Sequence, residues 1–202
     1  HGKLGLGLQA PYGVIPMYKQ CKTEESALRQ REFESALLQM LQSVPYNTIS
    51  VTVLCNHVGI ARKNFYRYFE TKDDVLCALL DHTILDYTQS DHRIGREIFD
   101  APPEIISFLS YWQTQKPLLD ALQANGMSTR LIERALAHAW QQDKGFLRIL
   151  GENADQNTVL FTVSGIFTLI ITWHHLGFRQ SKEELAADIY RLMTRPIVSI
   201  MN

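Results

Sequence analysis

Cysteine is scarce in this 202-residue chain: Cys21, Cys55 and Cys77 are the only three, and no two lie close in sequence. An odd, scattered set excludes a disulfide framework and a CxxC zinc or redox site, and it fits a reducing, cytoplasmic setting. An excess of charge is lacking as well, since 20 basic residues stand against 21 acidic ones, for a net charge of -1. The chain as a whole is therefore not a histone-like nucleic-acid binder, although a footprint needs only one basic face. Eleven glycines and seven prolines are too few for a collagen or a proline-rich linker. A composition 46% hydrophobic and 20% charged excludes a disordered chain. Long apolar runs are nearly absent. The best, Val159 to Trp173, is broken by Thr162, Ser164, Gly165, Thr168 and Thr172 and reads as a buried helix, not a membrane span.

Reactive constellations are missing too. There is no GxSxG and no HExxH, and the glycines near Lys3 lack a phosphate-loop context. Neighbouring His174 and His175 point about 100° apart on a helix and do not chelate together. Asp81-His82 and Asp91-His92-Arg93 read as solvated helix surface, and Cys55 and Cys77 as buried small hydrophobes. No catalytic residue, metal or cofactor is expected, and the chain does not read as an enzyme. The first residues carry no apolar signal segment, so residues 1–20 are expected to be a flexible arm or tag remnant, with Met17 a plausible start.

Helical periodicity is what the chain has instead. Thr23 reads as the N-cap of a helix carrying Phe33, Leu37, Met40, Leu41 and Val44, ended by Pro45. Ser50 caps a short helix over 51–57 closed by Gly59, and a second short helix spans 61–69. Thr71 to Asp74 forms a capping box for a helix running to about residue 92. Pro102-Pro103 opens another, with Ile105, Phe108, Leu109 and Trp112 in one stripe, and Pro117 kinks or breaks it. Asn125-Gly126 ends that segment, and Ser128 caps a helix with Ile132, Ala135, Leu136, Ala139 and Trp140 on one face. Asn153 or Asp155 starts the apolar helix to about Leu176, with Gly177 beyond it. Ser181 and Glu184 box the last helix, striped by Leu185, Ile189, Leu192 and Met193. No strand alternation occurs. The expected fold is all-α, with a small unit over 21–70 and a larger helical unit over 71–202.

Two short helices joined by a glycine turn within a three-helix unit make a helix-turn-helix layout. In the second, Phe65 and Phe69 can anchor inward, leaving Arg62, Lys63, Asn64, Arg67 and Tyr68 for outer surfaces. Arg and Lys suit guanine edges and Asn suits adenine. Ser50, Tyr66, Tyr68 and Lys72 suit phosphates, which fix position without reading sequence.

Residues 27–85 resemble the DNA-binding region of TetR-type (tetracycline-repressor-like) regulators. The resemblance runs through Tyr46-Asn47-Thr48-Ile49-Ser50-Val51, Leu54-Cys55, Val58-Gly59-Ile60 and Phe65-Tyr66-Arg67-Tyr68-Phe69-Glu70-Thr71-Lys72. Tyr66, Phe69 and Lys72 fill the family's places. Cys55, Val58, Lys63 and Tyr68 depart from its usual residues. The resemblance adds Thr48 to the expected DNA contacts and implies double-stranded DNA and a second copy of the chain as partners. The dimer would form through about 157–176 and 182–195. It also implies a cavity for an unknown small-molecule effector. Tyr87, Phe108, Tyr111, Trp112, Trp140, Phe167 and Trp173 are its candidate lining, while simple core packing is the preferred reading of the three tryptophans. The expected function is a ligand-responsive repressor acting on a palindromic operator. The alternative is a TetR-like co-regulator that binds another protein and has lost DNA recognition.

Overall fold

A computed structural model describes residues 18–19, 21, 23–89, 103–140 and 155–194, the side chains of 88, 89 and 140 excepted. Expectations for residues 1–17, Asp91-His92-Arg93, Asn153 and the Trp140 ring lie outside these residues. Among the described residues every regular element is helical.

Local chemistry sets most of the boundaries. α1 (Glu24–Leu41) starts where the Thr23 side chain accepts from the Ser26 N–H, with Glu24 and Glu25 in its first turn. A short 3-10 turn over Tyr46–Thr48 leads to α2 (Val51–Val58), capped by Ser50. Gly59 takes the left-handed conformation at φ 75° and closes it. α3 covers only Arg62–Phe65, shorter than the 61–69 that its composition suggests. After Asn64 the chain tightens, because Arg67 and Tyr68 donate three residues back, to Asn64 and Phe65, and an α-helix needs four.

α4 (Lys72–Gln89) opens on a reciprocal box: Asp74 N–H donates to Thr71 Oγ1, and Thr71 N–H donates to Asp74 Oδ2. The break at Pro117 falls just before the proline. α5 (Pro103–Thr114) stops, and α6 (Lys116–Ala124) begins with the proline in its first turn, where no N–H is needed. α7 (Ser128–Trp140) follows Gly126, which is left-handed at φ 65°. α8 (Gln156–His175) is capped by Asp155 and ends before Gly177 at φ 69°, and α9 (Lys182–Thr194) opens on the Ser181–Glu184 box.

Packing joins these elements into one buried core. Phe33, Phe65, Phe69, Leu37 and Leu54 centre the small N-terminal unit, with α1 laid along both α2 and α4. α4 in turn packs on α7, α7 along α8, and α9 on α5. α8 is long and apolar enough to cross a membrane by length and composition. It is not buried all round, however. Val159, Val163, Phe167, Ile170 and Trp173 face the core, whereas Phe161 is 69% exposed. The last helix divides in the same way: Leu185 and Ile189 are buried, and Leu192 and Met193 are exposed.

Candidate nucleic-acid interface

The α2–turn–α3 unit is held from below by aromatic rings. Phe65 and Phe69 are fully buried, and both stand edge-on to Phe33 of α1, at 5.3 and 5.9 Å between centroids. With the apolar side fixed, Arg62, Lys63 and Arg67 are exposed and Asn64 half-exposed on the outer side. Arg62 is pre-positioned, because its Nε donates to the Tyr66 hydroxyl at 3.0 Å and its guanidinium lies 5.6 Å from that ring's centroid. The Tyr66 carbonyl is held by Lys19 Nζ at 2.7 Å.

Two expected contacts are placed differently. Tyr68 is half-buried, and its ring lies 6.4 Å from that of Phe33, so it belongs as much to the core as to an outer surface. Lys72 is partly buried and donates at 2.8 Å to the carbonyls of both Tyr46 and Ile49, with Nζ 4.2 Å from the centre of the Tyr46 ring. It ties the turn before α2 to the start of α4. Two of its three N–H groups are thereby engaged, leaving one for a phosphate. Thr48 Oγ1 donates to the Pro45 carbonyl, and Ser50 Oγ caps α2, so both lie beside the same turn.

No family profile and no curated protein matches this chain. Solved structures do match, ten chains of them. One is the dihydroxyacetone kinase operon activator DhaS, at 16% identity and TM-score 0.51, covering 83% of this chain and 94% of that one. Another is the TetR family repressor AlkX of a Dietzia species, at 17% and 0.52, covering 80% and 93%. A third is the fatty acid degradation regulator FadR from Bacillus halodurans, at 13% and 0.54, covering 88% and 98%. The chain has a TetR-like fold.

Within this TetR-like fold, α4 is clamped on both sides by buried charge that its sequence does not advertise. Asp81, read as a solvated position, is completely buried. Its carboxylate accepts two 2.6 Å bonds from Arg134 of α7, at Nε and Nη2, and His138 Nε2 lies 3.1 Å away. Burial by itself would raise the Asp81 carboxyl, but His138 and Arg134 outweigh it and hold the group below its ordinary value. Its neighbour His82 pairs with buried Glu34 of α1 at 2.8 Å. Arg31 of α1 grips Asp86 with two bonds, of 2.7 and 3.1 Å. Arg134, His138, Glu34 and Arg31 carry no local signature of this role. Their partners are 48 to 55 residues away for the hydrogen-bonded pairs.

The expected effector lining is only partly assembled. Tyr87, Phe108, Tyr111, Trp112 and Phe167 form a continuous set of ring contacts at 5.0–6.2 Å. Trp112 is fully buried, and among the described residues its Nε1 has no hydrogen-bond partner. Burial raises the Tyr111 hydroxyl to about 12 and the Tyr87 hydroxyl in the same direction. Trp173 is elsewhere: it stacks edge-on with Phe178 at 4.6 Å and donates to the Gln180 carbonyl, so it packs the turn after α8. His174 is buried against Asp120 at 2.8 Å, joining α8 to α6, and His175 is exposed. Cys55 and Cys77 are free and buried, and burial pushes the Cys77 thiol up to about 11, away from thiolate chemistry.

Proposed function

We propose that this chain is a DNA-binding transcriptional regulator that works in the cytoplasm as a ligand-responsive homodimer, with repression of a palindromic operator as its mode. The observation that carries the reading is the outer side of α3. Three cations stand exposed on a segment whose opposite side is locked by two fully buried phenylalanines, at a glycine turn. A solvated charge patch does not require that anchoring. The neighbours support the reading by their own descriptions as an operon activator, a repressor and a degradation regulator.

Residues 21–70 are assigned to DNA binding and 71–202 to dimerisation and effector binding. Arg62, Lys63, Asn64 and Arg67 reach base edges, and Thr48, Ser50, Tyr66 and Lys72 hold phosphates. The dimer forms through α8 and α9. The exposed apolar side chains there, Phe161, Leu192 and Met193, border a groove also lined by Gly165, Ile166 and Leu169. Such a patch on a monomer is a liability, and a second copy covers it. The two α3 segments then address half-sites about 34–36 Å apart, or a multiple of that.

Effector binding beside Trp112 supplies an acceptor for its orphan N–H, whose burial is otherwise a cost of about 1–3 kcal/mol. A ligand that favours one packing of α4 on α7 shifts the Asp81–Arg134 clamp. Through Arg31 and Glu34 it shifts α1 as well, altering half-site spacing, with coupling of about 1–3 kcal/mol.

The test is fluorescence anisotropy on duplex DNA from the gene's upstream region against random duplex, at two salt concentrations. Selective binding that weakens with salt is the expected result. Equally weak binding to both, together with no selected site in a genome-wide pull-down, would replace this reading with the co-regulator one.

A further inference from the structure

A cavity lies at the junction between the small N-terminal unit and the larger one, separate from the groove between α8 and α9. It holds about 400 Å³ and is lined by Pro45, Tyr46 and Asn47 from one side and Ala124, Asn125, Met127 and Arg130 from the other. That volume is within the range of about 300–1,000 Å³ usual for small-molecule sites. The walls are fixed. Asn125 Oδ1 accepts from the Tyr46 N–H at 2.7 Å, its Nδ2 is spent on the Ala121 carbonyl, and Lys72 holds the Tyr46 carbonyl.

One group in this lining is unspent. Arg130 is half-buried, yet among the described residues its guanidinium has no hydrogen-bond or ion-pair partner. The other arginine of the same helix that the core encloses, Arg134, has its full carboxylate partner. The Asn47 amide is likewise without a side-chain bond. Two cations, Arg130 and Lys72, stand beside the Tyr46 ring or the cavity against one carboxylate, Asp73, which accepts from the Tyr46 hydroxyl.

The geometry points to a binding site for a small organic carboxylate. We propose that its carboxylate takes the Arg130 fork, with the Asn47 amide as a further donor, and that its body lies against Pro45, the Tyr46 ring and Met127. Guanidinium matches a carboxylate through two parallel bonds, and the space is far larger than a bare ion requires. Pro45, Ala124, Met127 and the Tyr46 ring make up the apolar part of a mixed lining, and that part is the reason for an organic body. The site goes beyond the regulator reading and does not rest on it. An occupant would touch the turn that leads into Ser50 and α2, which is a position for influence on that unit.

Amide-resolved NMR titration of the full chain with benzoate tests the site, with benzyl alcohol as the uncharged counterpart. Saturable shifts at the amides of Tyr46, Asn47, Asn125 and Arg130 are expected with benzoate and not with benzyl alcohol. Arg130→Gln should weaken benzoate binding by about tenfold to a hundredfold. It breaks no side-chain hydrogen bond or ion pair among the described residues, so its spectrum should stay folded. Arg179→Gln, which removes an exposed cation outside the cavity, should leave benzoate binding unchanged. Equal benzoate affinity in Arg130→Gln, equal loss in Arg179→Gln, saturation by benzyl alcohol, or no saturation at these amides would each overturn the proposal.

Discussion

At the scale of single residues, the side chains that matter most are those with two duties. Lys72 is the clearest case, because it holds the carbonyls of Tyr46 and Ile49 and has one N–H left over. Lys72→Ala should cost about 2 kcal/mol in urea unfolding, on the scale of charged hydrogen bonds. It should also weaken cognate and random DNA alike, lowering the salt slope by about one. Arg62→Ala should leave stability nearly unchanged and relax base preference instead. Identical effects of the two on specific and random duplex would contradict the division between positioning and reading. Asp81 gives a pH prediction. Its carboxyl is held below the ordinary value of 3.8, so it contributes stability above that value and loses it as pH falls through the folded value. Chemical denaturation across the acid range should show a steep loss below about pH 4, and Asp81→Asn should flatten it. An unchanged acid limb in the variant would show that another group controls it.

At the scale of elements, capping and turn chemistry decide where helices stop. Gly59 has open space around the position of a Cβ, so a substitution there meets no clash, only backbone strain at φ 75°. Gly59→Ala should therefore cost about 1–2 kcal/mol, and Gly59→Asn less, as measured by thermal or urea unfolding. A cost near zero for alanine would mean that the turn rearranges. The shortness of α3 has a functional sense. The one-turn helix followed by a tight turn brings Tyr66 back beside Arg62, which a regular helix also allows, and sinks Tyr68 toward Phe33. Composition gave no hint of that second outcome.

At the scale of the whole molecule, α4 is the connecting rod. It is tied to α1 by Arg31–Asp86 and His82–Glu34 and to α7 by Asp81–Arg134. The buried pair Asp81–Arg134 specifies geometry more than it stabilises, since its attraction is offset by desolvation, whereas Arg31–Asp86 is exposed. The other whole-molecule feature is the uncovered side of α8 and α9. Phe161→Glu puts a charge where the second copy would sit. Sedimentation should show a monomer where the unaltered chain is a dimer, with a matching loss of operator affinity and little change in unfolding. A dimer that persists in Phe161→Glu would move the interface elsewhere.

The chain's own letters determined what depends on near neighbours. Thr23, Ser50, Thr71 and Ser181 announce helix starts, Gly59 and Gly177 announce ends, and Phe65 and Phe69 announce an inward face, because caps and helical periodicity act over three or four residues. The all-α layout and the glycine-turn unit followed from these. Only the folded arrangement decided the rest. Asp81 and His82 look like surface residues in a row of letters and are clamp residues in space, because their partners arrive from distant helices. Trp112 and Trp173 look alike in sequence, yet one is an orphan donor inside an aromatic cluster and the other closes a turn. Arg130 and Arg134 differ by one helical turn, and tertiary packing alone gives the second a buried carboxylate and leaves the first facing an open cavity. Burial and pairing are properties of what else occupies the space, and no local pattern encodes that.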